Sequence, residues 1–202
     1  QCSIDDIHKL LERADSAPLD IYTSNESLSV QSEYIRDGLD WGVWSRNVNM
    51  LAKSDKLRGL HNMCTINALC LESLPEFLTY LTHIKEQNPN RFPHTTLNIL
   101  RFPSFQSPLT LPDQLRTYHK ERLQTWFDKY KDSERWQEFE INQVQRLIDY
   151  LDVVKTPHSE SFETPKLHND FWHFYNQYDI RRNKNFDNTF PSMKEWYNEL
   201  RL

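Results

Sequence analysis

At 202 residues, with 26% charged residues, 13% aromatics and a formal net charge of −5, the chain has the composition of one globular domain carrying at most a modest helical appendage. This argues against two large domains and against a disordered chain. The slight negative charge gives nucleic-acid binding no support, no apolar run approaches the roughly 20 residues of a membrane helix, and no signal peptide is evident, so the sequence reads as cytoplasmic.

The first half alternates short apolar runs with longer helical patterns, as βαβ units of a parallel sheet do. Strands are predicted over Leu19 to Asn25, Gly59 to Ile66 and Thr95 to Phe102. Between them the spacing predicts helices over Trp41 to Lys53, with Trp44, Val48 and Leu51 on one side, and over Leu74 to Gln87, with Phe77, Leu81 and Ile84 on one side. After Pro112 the pattern changes to helices over Gln114 to Tyr130, over Arg135 to Val154 and from Lys166 onward, with no further strand. Ile141, Val144, Ile148 and Leu151 form an apolar stripe with charges around it. Thr156, Pro157 and the Ser/Glu stretch after them read as a turn or linker, and Pro191 is expected to open the closing helix. The fold class is therefore α/β, with βα units over residues 1–111 and a helical extension over 112–202.

Cys2, Cys64 and Cys70 are too few and too scattered for a disulfide framework, so reduced thiols are expected. The sequence begins at Gln1 rather than at a methionine, which reads as processing or as a start partway through a longer protein. In parallel α/β architectures function collects at the carboxyl ends of strands. The first predicted strand ends in Thr23, Ser24, Asn25 and Glu26, the second in Thr65 and Asn67, and the third contains Asn98 and ends near Arg101. Such residues hold a polar ligand, or simply cap the helices that follow. Three parallel strands cannot close a barrel, so something upstream, or a partner chain, should complete the sheet.

Ile21-Tyr22-Thr23-Ser24-Asn25-Glu26-Ser27, followed by Glu33-Tyr34-Ile35-Arg36-Asp37-Gly38-Leu39-Asp40-Trp41, resembles radical S-adenosylmethionine proteins of the twitch-domain group. Met63-Cys64-Thr65-Ile66-Asn67-Ala68-Leu69, Leu97-Asn98-Ile99-Leu100-Arg101-Phe102-Pro103 with Phe105-Gln106-Ser107, and Tyr178 to Phe186 with Thr189-Phe190-Pro191 are similar to their later strands and carboxyl-terminal signature. The resemblance covers nearly the whole chain. It implies the second half of a partial TIM-like (β/α) barrel, S-adenosylmethionine and a 4Fe-4S cluster as cofactors, and a radical modification whose substrate is left open between a peptide, a sugar and a nucleotide derivative.

By the same resemblance Ser24, Asn25, Glu26, Arg36, Thr65 and Asn67 are the cofactor-side candidates, and Asn98 and Arg101 the substrate-side ones. Arg36 matches an arginine that approaches the cofactor carboxylate; its alternative is a surface ion pair with Glu33 or Asp37. The CxxxCxxC loop and the Gly-Gly-Glu segment of the family are not in this sequence. The chain alone is therefore expected to be catalytically silent, needing its amino-terminal half or a partner chain. The alternative function is a non-catalytic binding or assembly protein built on a degenerate half-barrel.

Other constellations are weaker. His168 and His173 lie five apart, about 140° around a helix, so they read as packing rather than a metal pair. Arg181, Arg182 and Lys184 stand among Asp170, Asp179 and Asp187 and read as a solvated helix end with local salt bridges. Trp126, Phe127, Trp136, Phe171 and Trp172 read as core. No Gly-rich phosphate loop or nucleophile elbow occurs, since Gly38, Gly42 and Gly59 are the only glycines.

Overall fold

The computed structural model describes residues 2–14, 17, 19–89 and 93–201; Gln1 lies outside them. Three strands, β1 (Leu19–Ser24), β2 (Leu57–Ile66) and β3 (His94–Ile99), form one parallel sheet in the order β1-β2-β3. The α/β class and the parallel sheet are as the sequence predicts. Strand β3 is shorter than predicted: after Ile99 the chain makes one more ladder bond, Leu100 N to Ile66 O (2.8 Å), and then turns into short 3-10 segments at Ser104–Gln106 and Pro108–Thr110.

Helices α1 (Ile4–Arg13) and α2 (Ser29–Ile35) precede α3 (Trp41–Lys53) and α4 (Leu74–Gln87); the bounds of the last two coincide with the periodicity. Asp40 starts α3 by accepting from Val43 N (2.8 Å), and the predicted faces Trp44, Val48, Leu51 and Phe77, Leu81, Ile84 are buried. After β3 come α5 (Asp113–Tyr130), α6 (Glu138–Leu151), α7 (Thr164–Arg182), α8 (Phe186–Thr189) and α9 (Lys194–Glu199). Helix α6 starts later than predicted because Gln137 and Glu140 form a capping box. The Ser/Glu stretch is not a linker but a wide helical turn, Ser159–Glu163, leading into α7, and Pro191 sits in a turn before α9.

One continuous core joins the sheet to the later helices, running from Val48 and Phe77 through Leu123 and Val144 to Phe171 and Tyr197. Trp126, Trp136 and Phe171 are buried in it, while Phe127 and Trp172 pack against it partly exposed. Polar clamps tie α7 to α2: Tyr34 Oη donates to Asp179 Oδ1 (2.7 Å), and Tyr178 Oη donates to Tyr34 O (2.7 Å). Arg182 and Lys184 pair with Asp37 (2.9 and 3.2 Å), so this basic group is a helix end with local salt bridges. Among the described residues no helix is long and apolar enough to cross a membrane.

The two sheet edges differ. At the outer edge of β3, side chains of α6 take the positions a further strand would occupy. Glu140 Oε1 accepts from Thr95 N (2.6 Å), Gln143 Oε1 accepts from Leu97 N (2.5 Å) and Arg146 Nη2 donates to Leu97 O (2.8 Å). Glu140 is itself neutralised by Lys85, which donates to both carboxylate oxygens (2.8 Å each); both side chains are fully buried. Strand β1, by contrast, is paired with β2 alone among the described residues.

Candidate functional site

The register places side chains in rows across the sheet, because paired residues of a parallel ladder point to the same face. Tyr22 pairs with His61 and His61 with His94; Ser24 pairs with Met63 and Met63 with Thr96; Thr65 pairs with Asn98. The other face carries Ile21, Leu60, Cys64, Ile66 and Leu97, which pack under the helices.

The first face is open. Tyr22 is 64% and Met63 42% exposed, and Ser24, Thr65 and Asn98 are exposed. A parallel sheet ordinarily has both faces covered, and its strands then read as runs of Val, Ile and Leu. A packed barrel interior is dominated by the same residues. The open face here has none of them: Asp20, Tyr22 and Ser24 come from β1, His61, Met63 and Thr65 from β2, and His94, Thr96 and Asn98 from β3. This residue set suits contact with water and a polar ligand better than a dry core.

At the bottom of the face Arg58 pairs with Asp20. Gly59 lets the Asp20 carboxylate and the His61 imidazole close over the strand, since a Cβ there would stand 2.7 Å from each. Above them Tyr22 stacks on His61 (centroids 4.6 Å, planes 19° apart). His61 stacks on His94 (5.7 Å, 27°), and Phe139 of α6 ends the row at 6.2 Å from His94. No local sequence pattern marks this row. The period-2 positions set Tyr22, His61 and His94 each on one face of its own strand, but their alignment depends on register, which one strand alone does not state.

The predicted site residues divide into two groups. Ser24, Thr65 and Asn98 reach the open face near the carboxyl ends of the strands, and Arg101 is exposed just beyond, 5.9 Å over the Tyr150 ring. The others are committed to the scaffold. Asn25 is buried, with Oδ1 accepting from Glu26 N (3.0 Å) and Ser32 Oγ (2.7 Å) and Nδ2 donating to Ser27 O (3.1 Å). Asn67 caps the 3-10 turn Ala68–Glu72, accepting from Leu69 N (2.9 Å) and Cys70 N (3.1 Å). The capping reading holds for Asn67, whereas Asn25 braces its own loop and caps no helix.

Glu26 and Arg36 find each other. Arg36 Nε and Nη2 donate to the two oxygens of Glu26 (2.8 and 2.6 Å), a fork on a carboxylate 2% exposed. The expected surface pair of Arg36 with Glu33 or Asp37 is not formed. Glu33 accepts from Trp41 N (3.0 Å), and Asp37 holds Arg182 and Lys184. Burial raises the Glu26 carboxyl above its usual range, and Arg36 draws it back. Arg36→Met should leave Glu26 buried without its cation and lower stability by about 1–3 kcal/mol. Chemical denaturation would check this; an unchanged midpoint would show that the pair contributes nothing.

The thiols do not fit a cluster. Cys64 and Cys70 are fully buried, and burial pushes both well up, away from the thiolate that iron requires. Cys64 Sγ is 3.1 Å from Asn25 O, and Cys70 Sγ is 3.2 Å from Asn67 Oδ1. Cys2 is exposed, its carbonyl accepting from Asn47 Nδ2 (2.9 Å) on α3. For S-adenosylmethionine the fit is partial. Ser24, Thr65 and Asn98 offer free-standing polar groups, but the expected carboxylate fork of Arg36 is engaged by Glu26. His168 Nε2 lies 2.8 Å from Thr110 O and its ring 5.4 Å from Trp196, whereas His173 is exposed.

Compared with known proteins, the chain matches no family model, no curated protein and no solved structure.

Proposed function

We infer that this chain is the later wall of a ligand cleft in a partial (β/α) barrel of radical S-adenosylmethionine type, a wall that works only when further strands join it at β1. The observation that carries this reading is the open face: a parallel sheet covered by helices on one side and lined on the other by polar and ring side chains. The unequal edges support it, because β3 is sealed by α6 while β1 has one neighbour among the described residues. So does the meeting of two separated segments that carry the family resemblance, at Tyr34, Tyr178 and Asp179.

In this reading Ser24, Thr65 and Asn98 hold polar parts of the cofactor or substrate by hydrogen bonds. Glu26 and Arg36 stiffen the strand-end loop beneath them, with Thr65 N reaching Glu26 Oε2 at 3.4 Å. The cluster that would supply the radical chemistry needs thiolates from outside these residues. The alternative, an assembly scaffold, uses the same β1 edge but has no need of a polar face.

The test uses the natural polypeptide that carries this segment, purified without oxygen together with any chain that co-purifies. Hydrogen exchange across β1, iron and sulfide content, and titration with S-adenosylmethionine are the readouts. Protected β1 amides with iron, sulfide and saturable cofactor binding are expected. Protected β1 amides without cofactor binding would favour the scaffold. Amides that exchange freely at β1 would overturn both readings.

A further inference from the structure

A second site lies among the helices, away from the open face of the sheet and independent of what that face binds. A groove of about 390 Å³ runs between the start of α4 and the later turns of α5, a size that suits a small ligand. Its apolar surface comes from Pro75, Trp126 and Tyr130, the two ring centroids standing 5.2 Å apart. Thr79 and Thr125 flank them. Each donates its hydroxyl proton within its own helix, to Pro75 O and Glu121 O (2.9 Å each), so neither needs a partner from a ligand.

The charges of the groove do not cancel. Arg122 takes the Glu76 carboxylate and also donates to Glu72 O (2.8 Å), and Asp128 is held by Lys131 (3.1 Å). Lys129 is left over: its Nζ stands 4.8 Å over the Tyr130 ring, with no carboxylate at ion-pair distance among the described residues. Helix α4 begins here without a side-chain cap, because the Ser73 hydroxyl accepts from Leu28 N instead (3.1 Å). The positive end of its dipole is therefore uncapped, and the acidic residue of its first turn is the Glu76 already paired. Trp126 is 4% exposed, and its indole N–H meets no acceptor among the described residues. Trp126 and Lys129 lie three apart on α5 and are neighbours on its surface, so one carboxylate can serve both donors.

We propose that this groove binds a small carboxylic acid with an apolar body, its carboxylate between Lys129 and the Trp126 N–H and its body against Pro75 and Tyr130. A cation of the same shape meets like charge at Lys129 and at the helix end, which sets the specificity.

The experiment titrates phenylacetate, phenylacetamide and phenethylamine into the natural polypeptide and follows the indole N–H signals by nitrogen–proton correlation NMR. Trp126→Phe assigns the Trp126 signal by its loss. A saturable shift of that signal with phenylacetate is expected, weaker with phenylacetamide and absent with phenethylamine. Lys129→Gln should weaken phenylacetate binding about two- to five-fold, the effect of one exposed ion pair, and leave phenylacetamide unchanged. Thr125→Trp should fill the groove and remove saturable binding. Both residues are exposed, so neither change should disturb folding, and the melting temperature checks that. An unmoved Trp126 signal, equal binding of phenethylamine, wild-type affinity for phenylacetate in Lys129→Gln, or retained binding in a folded Thr125→Trp would each overturn the proposal.

Discussion

Glu140→Gln is expected to be among the most destabilising single changes in this chain, by about 3–5 kcal/mol, the usual effect of removing one partner from a buried ion pair. For a chain of this size that corresponds to a fall in melting temperature of roughly 10 °C or more. The carboxylate has four tasks at once. It accepts both contacts from Lys85, it accepts from Thr95 N at 2.6 Å, and it closes its own helix by accepting from Gln137 N at 2.9 Å. Burial pulls the Lys85 ammonium below its ordinary range, a fall that Glu140 opposes without cancelling. The Lys85 Nζ lies 4.1 Å over the Trp136 ring, whose Nε1 donates to Thr82 Oγ1 at 3.1 Å.

Lys85→Met should cost less, because Glu140 keeps two backbone donors. The double variant Lys85→Met/Glu140→Gln should recover part of the loss of Glu140→Gln, since no buried charge remains. Thermal melts of the three variants give the comparison, and hydrogen exchange at Thr95 and Leu97 localises it. A Glu140→Gln melt superimposed on wild type would show that the β3 edge does not depend on this carboxylate.

What the sequence disclosed and what it hid follow from the range of the interactions. Strands and long helices carry their period in the chain itself, so α3 and α4 could be read to the residue from Trp44, Val48, Leu51 and Phe77, Leu81, Ile84. Helix α1 starts at Ser3 and Asp6, which form a capping box, but a single turn of cap is a weak signal beside helices that carry a long apolar period. Helix α2 has no side-chain cap and is held by contacts such as Gln31 Nε2 to Thr189 O (2.9 Å), far along the chain.

Charges beside the Ile141 stripe looked solvated by pattern alone. Glu140 is buried because the edge of β3 lies against it, a fact of the fold and not of the window. The candidate site was legible in the same degree. The strand-end positions Ser24, Thr65 and Asn98 follow from local pattern, whereas the Glu26–Arg36 fork and the ring row depend on register and on a turn in the loop between them.

Acid should loosen the junction between the sheet and the carboxyl-terminal helices, and His119 is the reason. It is 1% exposed on α5, with Arg122 Nη1 at 3.5 Å from Nδ1 and Ser192 Oγ at 3.4 Å from Nε2; Ser192 in turn donates to Glu72. Burial, reinforced by the Arg122 guanidinium, lowers its pKa from 6.5 to about 3. The folded state therefore holds this imidazole neutral while the unfolded chain protonates it below 6.5. Its contribution is fully present above pH 6.5 and is lost as pH falls toward 3, at about 1.4 kcal/mol per pH unit.

Glu72 works in the opposite sense. Burial raises its carboxyl above 4.5, so it favours the folded state as it takes up its proton, and it offsets part of the loss near that pH. His94 and His168, both lowered by burial, add to the loss with the same sign as His119. The wild-type curve alone is thus a sum, and a variant isolates the term. His119→Asn, which cannot take a proton there, should be less stable than wild type at pH 7 through lost packing. Its stability should fall less steeply between pH 6.5 and 4, so that the gap narrows by about 3 kcal/mol across that window. Urea denaturation of both proteins at half-unit steps of pH measures it. Parallel curves would mean that His119 takes its proton as readily in the folded chain as in the unfolded one, and that the junction at Ser192 is not what acid opens.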